Sequence, residues 1–333
     1  MGAEGNGGAP PQVLDDVTVA RLLPERPSRA HKGTFGRVVV VAGSLDYAGA
    51  ALLVAGAAAR TGAGLVTLAV AGSLQPVVAG RILEVTTRGL PETSPGVLDP
   101  ARSAVALAAL SCEAMVVGPG LREGPETDEL VARLLADPGR EGTTGGPAGA
   151  PVVLDAEALN GLARRAGWWS EVQRRVVLTP HPGEFRRLCG NDAVLDGSGS
   201  PASDAERATA AVAASRRWDQ VVVLKGARTV IASPDAVAVA PFENPALATA
   251  GSGDVLSGAI GALLAQGLSP WDAACLGVYL HGMAGAAARE ALGDAGVVAP
   301  DLLLQLPLSW RRLSAIRGAR GRLGFAASGE RIS

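Results

Sequence analysis

The chain has 333 residues, a formal charge of -2 and only 3% aromatic residues. So balanced a charge provides no basic field for nucleic acid, and so few aromatic side chains exclude a base-stacking surface. The sequence starts without a signal-peptide pattern and contains no apolar run long enough to span a bilayer, so we expect a soluble cytoplasmic protein. Its cysteines, Cys112, Cys189 and Cys275, lie far apart, which indicates core residues rather than a zinc site or a disulfide framework.

The two ends and one internal stretch differ in composition from the rest of the chain. Residues 1–12 are rich in glycine and proline and are predicted to be a disordered tail. Residues 138–151 are predicted to form a flexible loop, and residues 318–333 a loose C-terminal tail. Residues 13–317 are then expected to form a single domain, because the strand and helix pattern resumes after the loop.

Within that domain, predicted strands and helices alternate. After a short helix at residues 13–23, apolar segments without period-two alternation predict buried strands at residues 37–42, 65–70, 114–117, 152–154, 176–178 and 220–224. Helices are predicted at residues 48–60, 128–135, 156–165, 183–189 and 203–217, followed by a hairpin at 228–240 and helices at 254–265 and 270–292. The alternation indicates an α/β fold with a mostly parallel central sheet and helices on both faces.

Glycines and polar residues follow the predicted strands. Any single cluster can be explained as a turn or a helix cap, but in an open α/β sheet ligands bind beyond the carboxyl ends of the strands. Clusters at equivalent ends therefore favour one shared crevice. The clusters are residues 43–50, 118–121, 155–160, 179–184 and 225–229.

Common nucleotide-binding patterns are absent from this crevice. No GxGxxG follows the first strand, and the glycine spacing of residues 43–49 lacks the Lys-Ser/Thr of a P-loop, so a Rossmann-type hydride-transfer enzyme is disfavoured. Of the 30 basic residues only Lys32 and Lys225 are lysine, which indicates that a compact ammonium is needed where lysine is kept. Lys225 follows a buried strand, where it could meet a phosphate or form a solvated hairpin tip.

The three histidines of the chain lie in different settings. His181 stands between Pro180 and Pro182, which stiffen the backbone and suit a side chain held at a ligand. Glu184 could equally serve to cap the helix that begins after His181. His281 lies inside an apolar helix and is expected to be a core residue. No metal-binding pair is evident.

Residues 251–254, GSGD, stand where a loop turns into an apolar helix. The unpaired N–H groups of a helix N-terminus favour a bound anion, and glycines let the backbone approach it closely. A carboxylate at this position would repel a bound phosphate unless it has a function of its own. For Asp254 the obvious function is to take the proton from an attacking hydroxyl. The alternative is that Ser252 or Asp254 caps the helix and the glycines form a turn.

Taken together, these segments resemble the ADP-dependent NAD(P)H-hydrate dehydratases of the ribokinase-like superfamily. The resemblance covers residues 31–292 and rests on HKGTFGRVVVVAGS, VVGPGL, VLDAEALN, LTPHPGEFRRL, VVLKGARTVIA and NPALATAGSGDVLSG. It implies a ribokinase-like fold and ADP-dependent dehydration of (6S)-NAD(P)H hydrate, with phosphorylation of the C6 hydroxyl followed by elimination. ADP or ATP as donor and Mg2+ are the implied cofactors.

The resemblance also assigns roles to residues of this chain. Asp254 would be the catalytic base, and Gly251, Ser252 and Gly253 the anion hole. The hydrate would be bound by Ala50, Gly120, His181 and Asp254, and ADP or AMP by Lys225, Gly226, Ala227, Arg228, Thr229 and Gly253. Asn244 and Lys32 match family positions to which we assign no role, and no metal ligand is named.

The sequence departs from the family pattern at several places. Ser252 stands where threonine is common, which retains a hydroxyl, and Ala246 and Ala250 stand where glycine is common, which adds methyl groups near the anion hole. The epimerase region often joined to these enzymes is not in this sequence, so the resemblance implies a separate NAD(P)H-hydrate epimerase as functional partner. It also suggests a homo-oligomer. The alternatives are a vitamin-precursor or sugar kinase of the same superfamily and a non-catalytic nucleotide-sensing module.

Overall fold

The computed structural model describes residues 11–136, 149–190 and 203–327, with side chains up to residue 319. Most of the predicted flexible loop at 138–151 and residues 1–10 of the predicted tail therefore lie outside the described residues. Strands and helices are labelled below in chain order.

The described strands form one ten-stranded sheet and a separate two-stranded hairpin. The sheet has the order β1-β12-β11-β10-β9-β8-β7-β2-β3-β4, and its pairs from β10 to β4 are all parallel. This confirms the predicted mostly parallel α/β sheet. The strands are β1 (Gln12–Val13), β2 (Arg37–Val41), β3 (Leu65–Ala71), β4 (Thr86–Leu90), β5 (Glu92–Ser94), β6 (Val97–Leu98), β7 (Ala114–Val117), β8 (Val152–Leu154), β9 (Val176–Leu178), β10 (Val221–Leu224), β11 (Val230–Ala232) and β12 (Val237–Val239).

Helices cover both faces of the sheet. One layer contains α1, α2, α3, α9, α10 and α11, and the other contains α4 to α8, as their mutual packing shows. The helices are α1 (Asp16–Ala20), α2 (Ala48–Arg60), α3 (Gln75–Ala79), α4 (Pro100–Ala108), α5 (Pro125–Leu135), α6 (Glu157–Ala163), α7 (Pro182–Cys189), α8 (Asp204–Trp218), α9 (Ser252–Ala265), α10 (Pro270–Leu292) and α11 (Ala299–Ala327).

The chain reverses its direction of travel across the sheet between β2 and β7. From β2 it adds β3 and β4 on one side, then crosses back to β7 and continues outward through β8, β9 and β10. Helix α9 packs over this switch point, where a Cβ on Gly261 would lie 2.2 Å from Val116 Cγ2 of β7. The switch point of a parallel sheet is where such folds bind ligands, so the N-terminus of α9 is placed at the expected crevice.

Three predictions for the ends of the chain differ from the structure in detail. The helix expected at residues 13–23 is a short strand, β1, followed by the five-residue α1. Gln12, assigned to the disordered tail, pairs with Ala238 of β12. The loose tail expected from residue 318 is helical as far as Ala327, where α11 ends.

The segment at residues 72–110 was not assigned from the sequence. It contains α3, β4, β5, β6 and α4, whose strands are short and partly exposed and so lack a strong apolar pattern. Cys112, Cys189 and Cys275 are buried, as expected for core residues. None of the helices in the described part of the chain combines the length and apolarity needed to cross a membrane.

Candidate active site

The first turn of α9 forms the predicted turn between loop and helix. Gly251 is its N-cap in the left-handed conformation (φ 85°), and a Cβ there would lie 2.5 Å from Leu53 Cδ1. Glycine is therefore favoured at this position both by the left-handed backbone and by the lack of room for a Cβ. The N–H groups of Gly253 and Asp254 donate to no residue that the structure describes. This leaves unpaired donors at the positive end of a 14-residue helix, which is a favourable place for a phosphate.

Asp254 lies in this same turn and has an altered acidity. Burial, together with the negative charge of Asp155, raises the pKa of Asp254 to about 7, while Lys225 opposes the shift. A carboxylate with a pKa near neutrality is a better proton acceptor than an ordinary aspartate and still ionises under physiological conditions. The geometry thus suits Asp254 to the role of a general base.

Lys225, at the end of β10, is held by two carboxylates. Its Nζ lies 2.8 Å from Asp155 Oδ1 and 3.7 Å from Glu184 Oε2, and both carboxylates are almost fully buried. Burial alone would lower the pKa of Lys225, but the charges of Asp155 and Glu184 raise it overall. Lys225 is therefore a charged, fixed ammonium rather than a solvated hairpin tip.

Asp155 was not assigned a role from the sequence, although it is the first polar residue after β8. The next residue, Ala156, adopts φ 52° and ψ -117°, a conformation that L-residues rarely occupy, and its N–H donates to Asp155 Oδ1 at 3.0 Å. Such backbone strain costs on the order of 1–3 kcal/mol and is commonly kept at functional sites. Here it accompanies a carboxylate directed at Lys225.

His181 is the N-cap of α7 and is fixed by a capping box. Its Nδ1 accepts from the N–H groups of Gly183 and Glu184, while Glu184 Oε2 accepts from the His181 N–H at 2.7 Å. The sequence-based alternative that Glu184 caps this helix is thus confirmed. It does not compete with a ligand role for His181, because the half-exposed ring also lines the cleft described below.

The loop after β10 is held from beneath by Arg207 of α8. Its guanidinium donates to the backbone carbonyls of Leu224, Lys225, Ala227 and Arg228 at 2.6–3.4 Å. These bonds turn the loop's carbonyl groups toward α8. Nothing in the sequence distinguished Arg207 from the other arginines of this arginine-rich chain.

A cleft of about 750 Å³ brings together many of the predicted nucleotide-binding residues. It is bounded by the loop after β10, the segment at residues 242–249, the start of α9 and the middle of α10. The predicted site residues that line it are His181, Lys225, Gly226, Ala227, Thr229, Asn244, Ser252 and Gly253. The cleft has the size and the mixed polar and apolar walls of a small-ligand site.

Arg228 is turned away from the cleft, and its guanidinium lies 3.1 Å from the carboxylate of Asp204. Ala50 and Gly120 meet at the start of α2, where a Cβ on Gly120 would lie 2.7 Å from the Ala50 Cβ. This contact is at the same edge of the sheet as the first turn of α9, since Gly251 abuts Leu53 one turn further along α2.

Lys32 is not brought to the site. It is exposed in a 3-10 turn before β2, and neighbouring Gly36 contacts Ala265 at the C-terminus of α9. The 14 residues of α9 place that end about 20 Å from the first turn of the helix.

The segment before α9 accommodates the two alanines that depart from the family pattern. Neither Ala246 nor Ala250 has a positive φ, and Ala250 is exposed, so neither methyl group requires strained backbone. Asn244 caps the 3-10 turn Pro245–Leu247 through a 3.0 Å bond from the Ala246 N–H, and its buried Nδ2 has no partner among the residues described. The left-handed position of this segment is Gly251 instead.

His281 was expected to be a core residue, and it is buried and hydrogen-bonded. It also lines the cleft, however, with Nε2 at 3.1 Å from Ser252 Oγ. The apolar helix around it concealed this position in the sequence.

A mostly parallel sheet with a crevice at its switch point, and unpaired N–H groups and a carboxylate at the start of the helix above it, define a ribokinase-like α/β protein. The family model described as NAD(P)H-hydrate dehydratase matches residues 38–308, and the chain belongs to that family.

Relatives and solved structures agree with this membership. The chain is 35% identical to the ADP-dependent (S)-NAD(P)H-hydrate dehydratase of Xanthomonas campestris over 82% of this chain and 87% of that protein. It is 43% identical to the bifunctional NAD(P)H-hydrate repair enzyme of Moorella thermoacetica over 87% of this chain. The chain spans about half the length of that relative, 52%.

The fold also matches a solved structure, the ADP/ATP-dependent NAD(P)H-hydrate dehydratase of Bacillus subtilis crystallised with ATP and Mg2+. The TM-score is 0.73 at 30% identity, covering 91% of this chain and 98% of that one. A ribokinase-like protein of Enterococcus faecalis shares the fold at 22% identity and a TM-score of 0.72.

Proposed function

We propose that this protein repairs hydrated NADH and NADPH by ADP-dependent dehydration of the (6S)-hydrate. The observation that carries the proposal is the position of Asp254, a carboxylate with a raised pKa, in the same helical turn as the unpaired N–H groups of α9. Family membership supplies the substrate class, because the named relatives act on NAD(P)H hydrate.

The cleft is assigned to the adenine nucleotide. The Lys225–Thr229 loop and Gly253 would contact the donor, with the transferred phosphoryl group directed at the first turn of α9. A Cβ on Gly253 would come 3.2 Å from Lys225 Nζ, so the glycine leaves room for an oxygen beside the ammonium. The hydrate would lie toward Ala50, Gly120 and His181, with its C6 hydroxyl at Asp254.

The reaction then proceeds in two stages. Asp254 takes the proton of the C6 hydroxyl while the hydroxyl oxygen attacks the β-phosphorus of ADP, and AMP leaves. The donors of the anion hole stabilise the charge that develops on the phosphoryl oxygens. In the second stage the ring nitrogen lone pair expels phosphate from C6 and the C5 proton is lost. Hydrate and ADP thus give the reduced cofactor, AMP, phosphate and a proton.

Mg2+ fits this arrangement as an ion carried mainly by the nucleotide. The described residues include no group of three or more His, Cys, Asp or Glu side chains that could hold a metal. Mg2+ commonly keeps several waters and binds through phosphates with one or two carboxylates, and Asp155 and Glu184 are the carboxylates beside the proposed phosphate position. When bound, the ion would neutralise charge on the donor phosphates.

A small-molecule kinase of the same fold is the second candidate. Such an enzyme would use the same base and the same anion hole but stop at the phosphate ester. The family match over residues 38–308 favours the dehydratase.

The test is incubation with NADH hydrate, Mg2+ and either ADP or ATP while the absorbance of the reduced nicotinamide is followed. Return of that absorbance with release of AMP and phosphate is expected with ADP. Formation of a stable ester without absorbance would support the kinase instead, and no reaction with either donor would refute both. Asp254→Asn is expected to lose about 10²-fold or more in rate while still binding nucleotide, as for removal of a general base.

The functional partner of this activity is proposed to be an NAD(P)H-hydrate epimerase, because hydration gives two epimers and the dehydratase acts on one. Addition of an epimerase to a mixed hydrate preparation should raise the final yield of reduced cofactor from about half to nearly complete. A yield that is already nearly complete without the epimerase would show that this protein accepts both epimers.

A further inference from the structure

The contact between Ser252 and His281 joins the anion hole to a buried histidine of α10. His281 Nε2 lies 3.1 Å from Ser252 Oγ and 3.0 Å from the Ser252 backbone oxygen. Both residues are more than nine-tenths buried, and both line the cleft. The pair is formed by helices that pack closely, since a Cβ on Gly277 of α10 would lie 2.6 Å from Ile260 Cγ1 of α9.

The backbone contact determines where the imidazole carries its proton. A carbonyl oxygen can only accept a hydrogen bond, so Nε2 must be the nitrogen that bears hydrogen. Burial, with a further contribution from the charge of Lys225, lowers the pKa of His281 to about 4, although the bond to the Ser252 carbonyl opposes the shift. At neutral pH the ring is therefore neutral, with Nδ1 unprotonated.

This tautomer excludes the possibility that Ser252 is a nucleophile and His281 the base that activates it. An Nε2 that carries hydrogen cannot take the proton of the Ser252 hydroxyl. Its one hydrogen instead forms a three-centre bond, in which the carbonyl and the hydroxyl oxygen of Ser252 both accept. No other described residue hydrogen-bonds to Ser252 Oγ, so the hydroxyl hydrogen is left for a group in the cleft.

We propose that His281 is a positioning residue of the anion hole: its Nε2–H holds the Ser252 hydroxyl as an acceptor, so that this hydroxyl donates its own hydrogen to an anionic oxygen of the bound nucleotide. The anion hole then comprises a side-chain donor in addition to the backbone N–H groups of Gly253 and Asp254. The proposal rests on phosphoryl transfer at the first turn of α9, as proposed above.

Kinetics of five variants test this role. Ser252→Ala is expected to lower kcat about 10-fold, since it removes one donor from the transferred group. His281→Phe, similar in size but without a donor, should lower kcat by a similar factor and leave the KM for ADP within about 2-fold. His281→Gln retains a side-chain N–H donor and should recover most of the loss. Ser215→Ala removes another buried hydroxyl, one on α8, and serves as the control.

The fifth variant combines Ser252→Ala with His281→Phe. Because His281 acts through the hydroxyl, its loss should cost less than about 2-fold once the hydroxyl is absent. A full additional 10-fold loss in the double variant would overturn the proposal, as would a His281→Gln variant as impaired as His281→Phe. An effect confined to KM would also contradict it, since a positioned transition-state donor acts on kcat.

The tautomer can be measured without any reaction. The chain contains three histidines, so nitrogen-15 NMR of histidine-labelled protein gives few signals, and the His281 signals are those missing from the His281→Gln spectrum. We expect an Nε2-protonated neutral ring from pH 6 to pH 8. An Nδ1-protonated or charged ring would overturn the proposal even if the dehydratase activity is confirmed. If the protein has the expected tautomer but no dehydratase activity, the proposed function is refuted and the hydrogen-bond geometry of His281 is not.

Discussion

The ammonium of Lys225 lies 2.8 Å from the carboxylate of Asp155, although 70 residues separate them in the chain. The two residues follow β10 and β8, and β9 lies between those strands in the sheet. The pair lies beside Asp254, whose pKa responds to both charges. Several consequences of this arrangement can be measured.

Activity should depend on pH through Asp254. The base must be ionised to accept a proton, and its pKa is raised to about 7. The value of kcat/KM is therefore expected to rise about tenfold per pH unit below 7 and to level off above it. A profile that is flat between pH 5 and pH 8 would remove Asp254 from the role of base.

Asp155→Asn should shift that profile toward lower pH. The negative charge of Asp155 is one of the two causes that raise the pKa of Asp254, so its removal lowers the pKa. Glu184→Gln is the matched control, because Glu184 also contacts Lys225 but is not among the causes of the Asp254 shift. The measurement is the pH midpoint of kcat/KM for the three proteins. A midpoint that moves upward in Asp155→Asn would contradict the assignment.

Asp254 should also destabilise the folded protein above neutral pH. Its pKa is higher in the folded state than in the unfolded chain, so its contribution favours folding below about pH 4 and is lost as pH rises through about 7. Asp254→Asn is therefore expected to be more stable than the wild type at pH 8, by up to about 4 kcal/mol. Urea unfolding at pH 8, 6 and 4 should show this difference shrinking toward zero. Equal stability at pH 8 would mean that the Asp254 pKa is not raised.

Removal of Lys225 should cost stability as well as nucleotide affinity. Lys225→Met leaves the carboxylates of Asp155 and Glu184 buried without a cation, which costs about 3–5 kcal/mol in comparable cases. The double variant with Asp155→Asn removes one of these charges and should recover part of the loss. Denaturant unfolding of the single and double variants measures both effects. A Lys225→Met protein as stable as the wild type would show that the ion pair contributes nothing.

Arg207 should act on nucleotide binding through the loop that it holds. Arg207→Ala releases the carbonyl groups of the Lys225–Thr229 loop and is expected to weaken ADP binding about 10-fold, with kcat at saturating ADP reduced by less than about 3-fold. Arg216 offers the matched control, since it also lies on α8 and donates to a backbone carbonyl, that of Pro234, away from the cleft. Calorimetric titration with ADP compares them. Equal ADP affinities in the two variants would refute a role for the hydrogen bonds from Arg207 to the loop.

Much of the fold could be predicted because buried parallel strands have a strong local pattern. The bounds predicted for β7, β8, β9 and α10 agree with the structure, since the strands are continuous apolar segments and α10 begins at a proline and ends before a glycine. Elements with weaker patterns could not be found in this way. Helix α11 and strand β4 are stabilised by packing and pairing with elements elsewhere in the chain, so their own composition does not mark them.

Some parts of the candidate site could be located from the sequence and others could not. The first turn of α9 and the loop at Lys225 could be located, because glycines and a carboxylate beside an apolar helix carry a chemical signal of their own. Asp155, Arg207 and His281 could not be assigned, because their roles consist of contacts with Lys225, the backbone of the loop and Ser252. Lys32 received no role from the sequence, and in the structure it lies in a 3-10 turn away from the first turn of α9.

The sequence by itself determined the class of sheet, the positions of most strands along the chain and the residue types that follow them, because hydrophobic pattern and turn chemistry are local properties. Only the tertiary structure decided which of those ends face one another. The ion pair of Lys225 with Asp155, the raised pKa of Asp254 and the hydrogen bond of His281 to Ser252 all depend on distances across the sheet and between helices. Charges and hydrogen bonds act over a few ångströms in space, and separation along the chain does not reveal which groups will meet.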